Sequence, residues 1–263
     1  MGARRHAISV QPFGRNHLSM HSTQSMDASI TFIVPAYNEE KLIPFAVRSI
    51  QEEMATRPND YEILVVDNAS TDRTSKVALE HGARVIHEPK RGIVAARQAG
   101  YLHAKYDLLA NIDADNAVPA GWLDKALAAL DPATVVVTGP LVYPEFSALM
   151  QILTKFFYFV GRLSHHTLGT MVQGGNYIVR KSALDVVGGY NTDVAFFGED
   201  TDFAVRIATV GNVKLVPKMW VYSSARRFHV EGIVLTTWRY ILNYLTVTFF
   251  GKPATTEYED IRP

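Results

Sequence analysis

From Ile30 onward, short β-branched apolar runs alternate with longer stretches whose apolar residues recur at helical spacing. The runs ITFIVP (30–35), YEILVVD (61–67), ARVIHE (83–88), DLLANID (107–113) and TVVVTGP (134–140) read as strands. The stretches near 40–56, 71–81, 92–105 and 119–130 read as helices. Ser70-Thr71-Asp72 supplies a capping sequence for the second, and Pro119 suits the first turn of the fourth. Such alternation builds βαβ units, so the pattern predicts an α/β fold with a mainly parallel sheet flanked by helices. After residue 140 the pattern loosens into an aromatic, partly helical stretch (146–163), a glycine-rich turn and strand, GGNYIVR (174–180), and a helix through 200–209.

The two ends of the chain read differently. Residues 1–29 hold Arg4, Arg5, Arg15 and a single acid, Asp27, with no apolar run of signal-peptide length, and predict a disordered basic tail. Met20 and Met26 stand just before the first strand as alternative starts. The apolar stretch 232–250 is interrupted by Arg239, Asn243 and four threonines, which argues against a membrane-spanning helix. Two readings stay open for it: an amphipathic helix in a membrane interface, with Trp238, Tyr240 and Tyr244 as anchors, or a core helix packed on the domain. The expected organisation is therefore a tail (1–29), one α/β domain (30–230) and a C-terminal amphipathic helix and tail (231–263).

Composition narrows the chemistry. The chain has 263 residues and balances 26 Lys and Arg against 26 Asp and Glu, so no global field argues for nucleic acid and any anion site is local. With no cysteine there is neither a disulfide framework nor a thiolate metal site, which permits a cytoplasmic address. A metal must sit on oxygen or imidazole.

In open sheets ligands lie beyond the carboxyl ends of the strands, and Asn38, Asp67, Asp113 and Asp115 all fall there. Asp113-Ala114-Asp115 follows a buried strand, and two carboxylates two residues apart can share one hard cation while leaving positions for phosphate oxygens. The alternative is a pair of turn-forming aspartates. VPAYNEE (34–40) offers Tyr37 to a base and Asn38 and Glu39 to its edge or a ribose, against a plain helix start. VVDNASTD (65–72) ends a strand on Asp67, an acceptor suited to a ring N–H or to a turn. KRGIVAARQAG (90–100) places Gly92 at a helix start, with Arg97 and Lys90 or Arg91 suited to diphosphate. FFGEDTDF (196–203) opens a helix with Glu199, Asp200 and Asp202, candidates for a base or simply acids favoured by the helix dipole. Neither GxGxxG nor a Walker A loop occurs.

In this order and spacing, VPAYNEE, VVDNASTD, KRGIVAARQAG, NIDADN, GGNY and GEDTDF resemble the family-2 glycosyltransferases of GT-A fold over about residues 30–210. The resemblance implies a nucleotide-diphosphate sugar donor, a divalent cation (Mg²⁺ or Mn²⁺) and inversion at the anomeric carbon. It places Pro35, Tyr37, Glu39 and Asp67 around the nucleoside, Arg97 near the diphosphate, and Gly175 and Asn176 of GGNY on the substrate. It assigns Asp113 and Asp115 to the metal, with His229 as a third ligand or else a plain loop histidine, and makes Asp200 the base beside Glu199.

Two details depart from the family pattern, Arg97-Gln98 where Arg-Asn is common and Arg91-Gly92 where Asn-x-Gly is common. The QxxRW signature of processive members is replaced by SSARRFH (223–229), which favours single-sugar transfer, with Arg226 or Arg227 available to the leaving diphosphate. The expected acceptor is a glycan or a lipid-linked molecule in cell-envelope polysaccharide synthesis, reached by a cytoplasmic protein with peripheral contact at the inner membrane face. The alternatives are a sugar nucleotidyltransferase, whose glycine-rich lysine loop is missing, and a non-catalytic nucleotide-sugar-binding protein.

Overall fold

A computed structural model describes residues 28–167, 170–194 and 198–255. The expected N-terminal tail, apart from residues 28 and 29, and the aromatic pair 196–197 lie outside the described residues. The first half runs β1 (Ile30–Ala36), α1 (Ile43–Met54), β2 (Tyr61–Asp67), α2 (Thr74–Glu80), β3 (Arg84–His87), α3 (Ile93–His103) and β4 (Leu108–Ile112). There follow β5 (Asn116–Ala117), α4 (Trp122–Leu127), β6 (Thr134–Thr138), β7 (Leu141–Val142) and α5 (Ala148–Thr167). The chain continues through β8 (Asn176–Arg180), α6 (Lys181–Val187), α7 (Glu199–Ile207), β9 (Asn212–Leu215), β10 (Val221–Ser223), α8 (Arg226–Glu231) and α9 (Ile233–Phe250).

The main sheet has the order β3-β2-β1-β4-β8-β6-β9. All neighbours are parallel except β8, which runs antiparallel to both β4 and β6. A smaller sheet, β5-β10-β7, stands beside it. The α/β, mainly parallel architecture is thus the one the periodicity predicts.

Why β1 is apolar throughout follows from the two-sided covering. Ile30, Phe32, Val34 and Ala36 enter a core with α1 and Trp122 of α4, while Ile33 enters the opposite core with Val94 and Ala96 of α3 and Tyr177. Phe32 and Trp122 meet with ring centroids 6.2 Å apart, and truncating Phe32 to Ala would cost about 3–5 kcal/mol.

Most expected elements of the first half appear with shorter bounds, while β2 keeps its own and β1 runs one residue further. Asn38 takes a positive φ of 50°, and the amides of Leu42 and Ile43 donate to Glu39 O, so a turn precedes α1. Asp72 Oδ1 accepts the Thr74 N–H at 2.9 Å, so the acid of the capping sequence does serve the start of α2. The C-terminal helix docks through one stripe. Thr236, Asn243 and Val247 are buried, and a β-carbon on Gly198, just before α7, would stand 2.6 Å from Val247 Cγ2. The Tyr244 hydroxyl donates to Ser164 Oγ at 3.3 Å, tying α9 to α5. Among the described residues no helix is long and apolar enough to cross a membrane.

Candidate active site

The loops after β1 and β2 are sewn together by their own polar side chains. Asn38 Oδ1 accepts the Thr71 N–H (2.8 Å), Ser70 Oγ accepts the Asn38 N–H (3.0 Å) and Thr74 Oγ1 accepts the Glu39 N–H (2.8 Å). Asn38 therefore spends its acceptor on the neighbouring loop. Asp67 does the same: it accepts the Ser70 N–H at 3.0 Å and the Ser75 hydroxyl. Burial pushes its carboxyl up, but the Ser70 hydroxyl, the Ser75 hydroxyl, the Ser70 N–H and the nearby His87 together outweigh burial and hold it below the usual range. Asp67 is absent from the lining of the cavity described below, whereas its neighbour Asn68 is part of it. The Asn68 amide donates to Glu88 O (3.0 Å) and Lys90 O (2.7 Å) and accepts the Gly92 N–H (2.7 Å), pinning the loop before α3. That loop lays the Arg91 guanidinium 3.3 Å above the Tyr37 ring centroid, so one face of Tyr37 is already covered.

The acids converge through the reversal of β8. Because it runs against its neighbours, its first residues stand where β4 ends, and Gly174-Gly175 meets both Asp113 and Asp200. The Gly174 N–H donates to Asp200 Oδ2 at 3.1 Å, and a β-carbon there would collide with that oxygen. Gly175 has φ +72° and leaves room for Asp113 Oδ2, which a β-carbon would strike. Asn176, in contrast, is fully buried. Its amide donates to Pro140 O (3.0 Å) and Met219 O (2.7 Å), and its Oδ1 accepts the Trp122 indole N–H (2.9 Å). The structure thus gives Asn176 a scaffolding place in the core instead of the substrate contact expected from sequence.

Arg97 is 3% exposed and serves three carboxylates. One Nη donates to Glu199 Oε1 and Asp200 Oδ1, each at 3.1 Å, and the other to Asp113 Oδ1 at 3.3 Å. Expected near a diphosphate, this guanidinium is instead engaged by acids. Burial raises the Asp200 carboxyl, Arg97 opposes the rise and Asp113 adds to it. Glu199 is raised too, by burial first and by Asp200 next. Across the site, Arg226 of α8 forks onto Glu39 (2.7 and 3.2 Å) and reaches Asp115 Oδ2 at 3.5 Å. Burial and the charge of Asp113 push the Asp115 carboxyl up to about 7 despite Arg226.

These groups line one end of a cavity of about 970 Å³. Pro35, Tyr37, Glu39, Arg97, Asp113 and Asp115 are on its wall, as are Glu199 and Asp200. The other end runs between α5 and α9 over Leu153, Phe157 and Val160 on one side and Ile241 and Leu245 on the other. Tyr143, Phe146 and Phe228 stand at the junction, their ring centroids 4.9 to 5.3 Å apart. His229 is exposed on α8 and is not part of the lining.

Among the described residues no three His, Asp or Glu side chains are grouped to hold a metal by themselves. Asp113 and Asp115 nonetheless offer carboxylate oxygens of the kind a hard cation takes, and burial beside Asp113 raises the Asp115 carboxyl to about 7, so two negative charges there are not balanced by Arg226 alone. Sequence reasoning missed Asn68, the Arg226–Glu39 fork and the Tyr143 cluster, since each depends on contacts between distant segments.

The sequence profile of glycosyl transferase family 2 matches residues 31–188. An uncharacterized glycosyltransferase of Mycobacterium tuberculosis is 42% identical over 111 residues, which cover 42% of this chain and 48% of that protein. A dolichyl-phosphate beta-glucosyltransferase, ALG5D, of Trichomonas vaginalis is 41% identical over 99 residues, covering 34% of this chain and 30% of that protein. The chain thus spans less than half the length of either curated relative. Among solved structures, the mannosyltransferase PcManGT of Pyrobaculum calidifontis, in complex with GDP-Man and Mn²⁺, superposes with a TM-score of 0.68. Its sequence is 22% identical, and the match covers 82% of this chain and 63% of that one, a likeness that shows the GT-A fold. The family match argues against the nucleotidyltransferase alternative: the chain belongs to glycosyl transferase family 2.

Proposed function

We propose that the enzyme transfers a single sugar, with inversion, from a nucleotide-diphosphate sugar to a hydroxyl on an acceptor that carries a long apolar chain. One observation carries the reading: Asp113 and Asp115 on one wall and Glu199 and Asp200 on another face a single cavity whose far end is apolar. The similar PcManGT, named with GDP-Man and Mn²⁺, and the similar dolichyl-phosphate enzyme support the donor class and the acceptor class respectively.

Asp200 accepts the acceptor hydroxyl proton as that oxygen bonds to the anomeric carbon and the bond to the diphosphate breaks. The Gly174 N–H and Arg97 orient its two oxygens, leaving the carboxylate aimed into the cavity. Arg97 also favours the ionised form, offsetting part of the rise that burial imposes. Asp113 and Asp115 would hold a divalent cation, which supplies charge neutralisation for the departing diphosphate when bound. Arg91 and Arg226, both on the cavity wall, add positive charge on that side. Tyr37, on the cavity wall with one face under Arg91, stands at the place of the nucleoside.

A second reading follows from the apolar groove. If the attacking oxygen belongs to a lipid phosphate it is already ionised, and Asp200 then has no proton to remove. A thermal-shift panel of UDP-, GDP- and TDP-sugars with and without Mn²⁺ identifies the donor, and Asp200→Asn is then assayed with it. The proposal expects donor binding to persist while transfer to an alcohol acceptor is lost. Full turnover of the variant on a polyprenyl phosphate would replace the base mechanism by the second reading. Absence of a metal-dependent shift with every donor would reject the donor assignment.

A further inference from the structure

Two apolar stripes remain uncovered on the surface. On α5, Leu149, Ile152, Phe156, Phe159 and Leu163 recur at alternating steps of three and four and are each 57–66% exposed. On α9, Val234, Trp238, Ile241, Leu245 and Phe249 follow one another at steps of four, three, four and four at 37–84% exposure, on the side away from the buried Thr236, Asn243 and Val247. Paired apolar stripes of this extent on a folded chain mark an interaction surface.

We infer that α5 and α9 together form a platform that seats in the surface of an anionic lipid bilayer, with the mouth of the active-site groove opening between them. Charge selects this occupant. Neither helix contains an acid, whereas α5 exposes Lys155 and Arg162 among its apolar residues; Arg239 of α9 is already paired with Glu231 at 3.2 Å. A second copy of the chain would have to complement the same patch with itself, bringing cation to cation with no acid in either helix. Anionic head groups complement those cations, while the apolar side chains reach the acyl boundary. Neither helix is apolar enough to span, and the exposed Trp238 suits a helix lying in the plane of the interface.

The groove is continuous with the platform. Leu153, Val160, Ile241 and Leu245 line the cavity and are also 37–44% exposed, so its apolar end is open between the stripes. A chain anchored in the leaflet can enter without crossing water. That delivery role rests on the apolar-acceptor reading above; the docking itself does not.

The test is flotation of the full chain with phosphatidylcholine vesicles with and without phosphatidylglycerol. The comparison uses Phe159→Glu/Leu163→Glu and Trp238→Glu/Phe249→Glu, residues outside the cavity lining. The expected result is flotation that requires phosphatidylglycerol and a fall in partitioning of about tenfold or more in each double variant. The variants should keep donor binding by calorimetry. Wild-type protein that stays at the bottom of the gradient with anionic vesicles overturns the inference. So does equal flotation of the variants, which would place the contact elsewhere, and so does a dimer that both variants dissociate. Loss of donor binding in wild-type protein that floats would count against the proposed function and leave the platform standing.

Discussion

The amide of Gly174 donates to Asp200 Oδ2 at 3.1 Å, across a gap that a single methyl group would fill. The loop ahead of β8 thereby fixes the position of a carboxylate that belongs to α7.

Gly174→Ala should consequently damage turnover more than folding. The displaced atoms are the far end of a side chain, so stability should fall by no more than about 1–3 kcal/mol. A shift of the carboxylate by an ångström should lower kcat by about a hundredfold. Steady-state kinetics beside thermal melts would show the imbalance; proportionate losses would mean the loop is merely structural.

Arg97→Ala leaves Asp113, Glu199 and Asp200 without their shared cation. Removing one partner of such a buried cluster should cost about 3–5 kcal/mol, read by urea denaturation. Arg97→Lys should recover part of the stability but little activity, because an ammonium cannot fork between two oxygens of α7 and one of the β4 loop.

Cation binding should depend on pH through Asp115. Its carboxyl is raised to about 7 in the metal-free fold against about 4 in an unfolded chain. By linkage, the raised value favours the fold fully below pH 4, and that advantage fades as pH climbs through 7. A divalent cation must displace the proton, so Mn²⁺ affinity should strengthen from pH 6 to 8 and its gain in Tm should be larger at pH 8. Titration calorimetry and melts at the two pH values check this, and a pH-independent affinity would remove Asp115 from the ligand set.

Asn176→Ala should destabilise by about 2–4 kcal/mol, since two carbonyls and the Trp122 indole lose buried partners together. Donor binding measured well below the lowered Tm should survive. Selective loss of donor affinity with unchanged stability would return Asn176 to the substrate.

How much of this was legible in the sequence follows the range of the interactions involved. Strand β2 appears with the bounds its apolar run predicts, because Ile63 to Val66 are buried on both faces and the run writes that burial into consecutive residues. The small strands β5 and β7, two residues each, and α8 have no period long enough to read. Asp113, Glu199 and Asp200 stand out locally, and the structure brings them together. Asp67 and Asn176 stand out equally, yet their polar atoms are taken up by Ser70, Ser75, Trp122 and two carbonyls, partners that no local pattern reveals. The boundary expected at residue 230 likewise meets a helix that packs at Gly198 and shares the cavity wall.

The reversed strand β8 also dictates when the site can exist. A nascent chain that has emerged only as far as β6 holds the strands flanking the centre of the sheet but not the one that joins them. Until Arg180 has been made, the edges of β4 and β6 face each other unpaired, the kind of edge that recruits foreign strands. Joining the two halves of the sheet and bringing Gly175 to Asp113 are therefore one event in synthesis, which precedes Asp200 and β9. Truncations that stop short of β8 should yield aggregates rather than a smaller working enzyme.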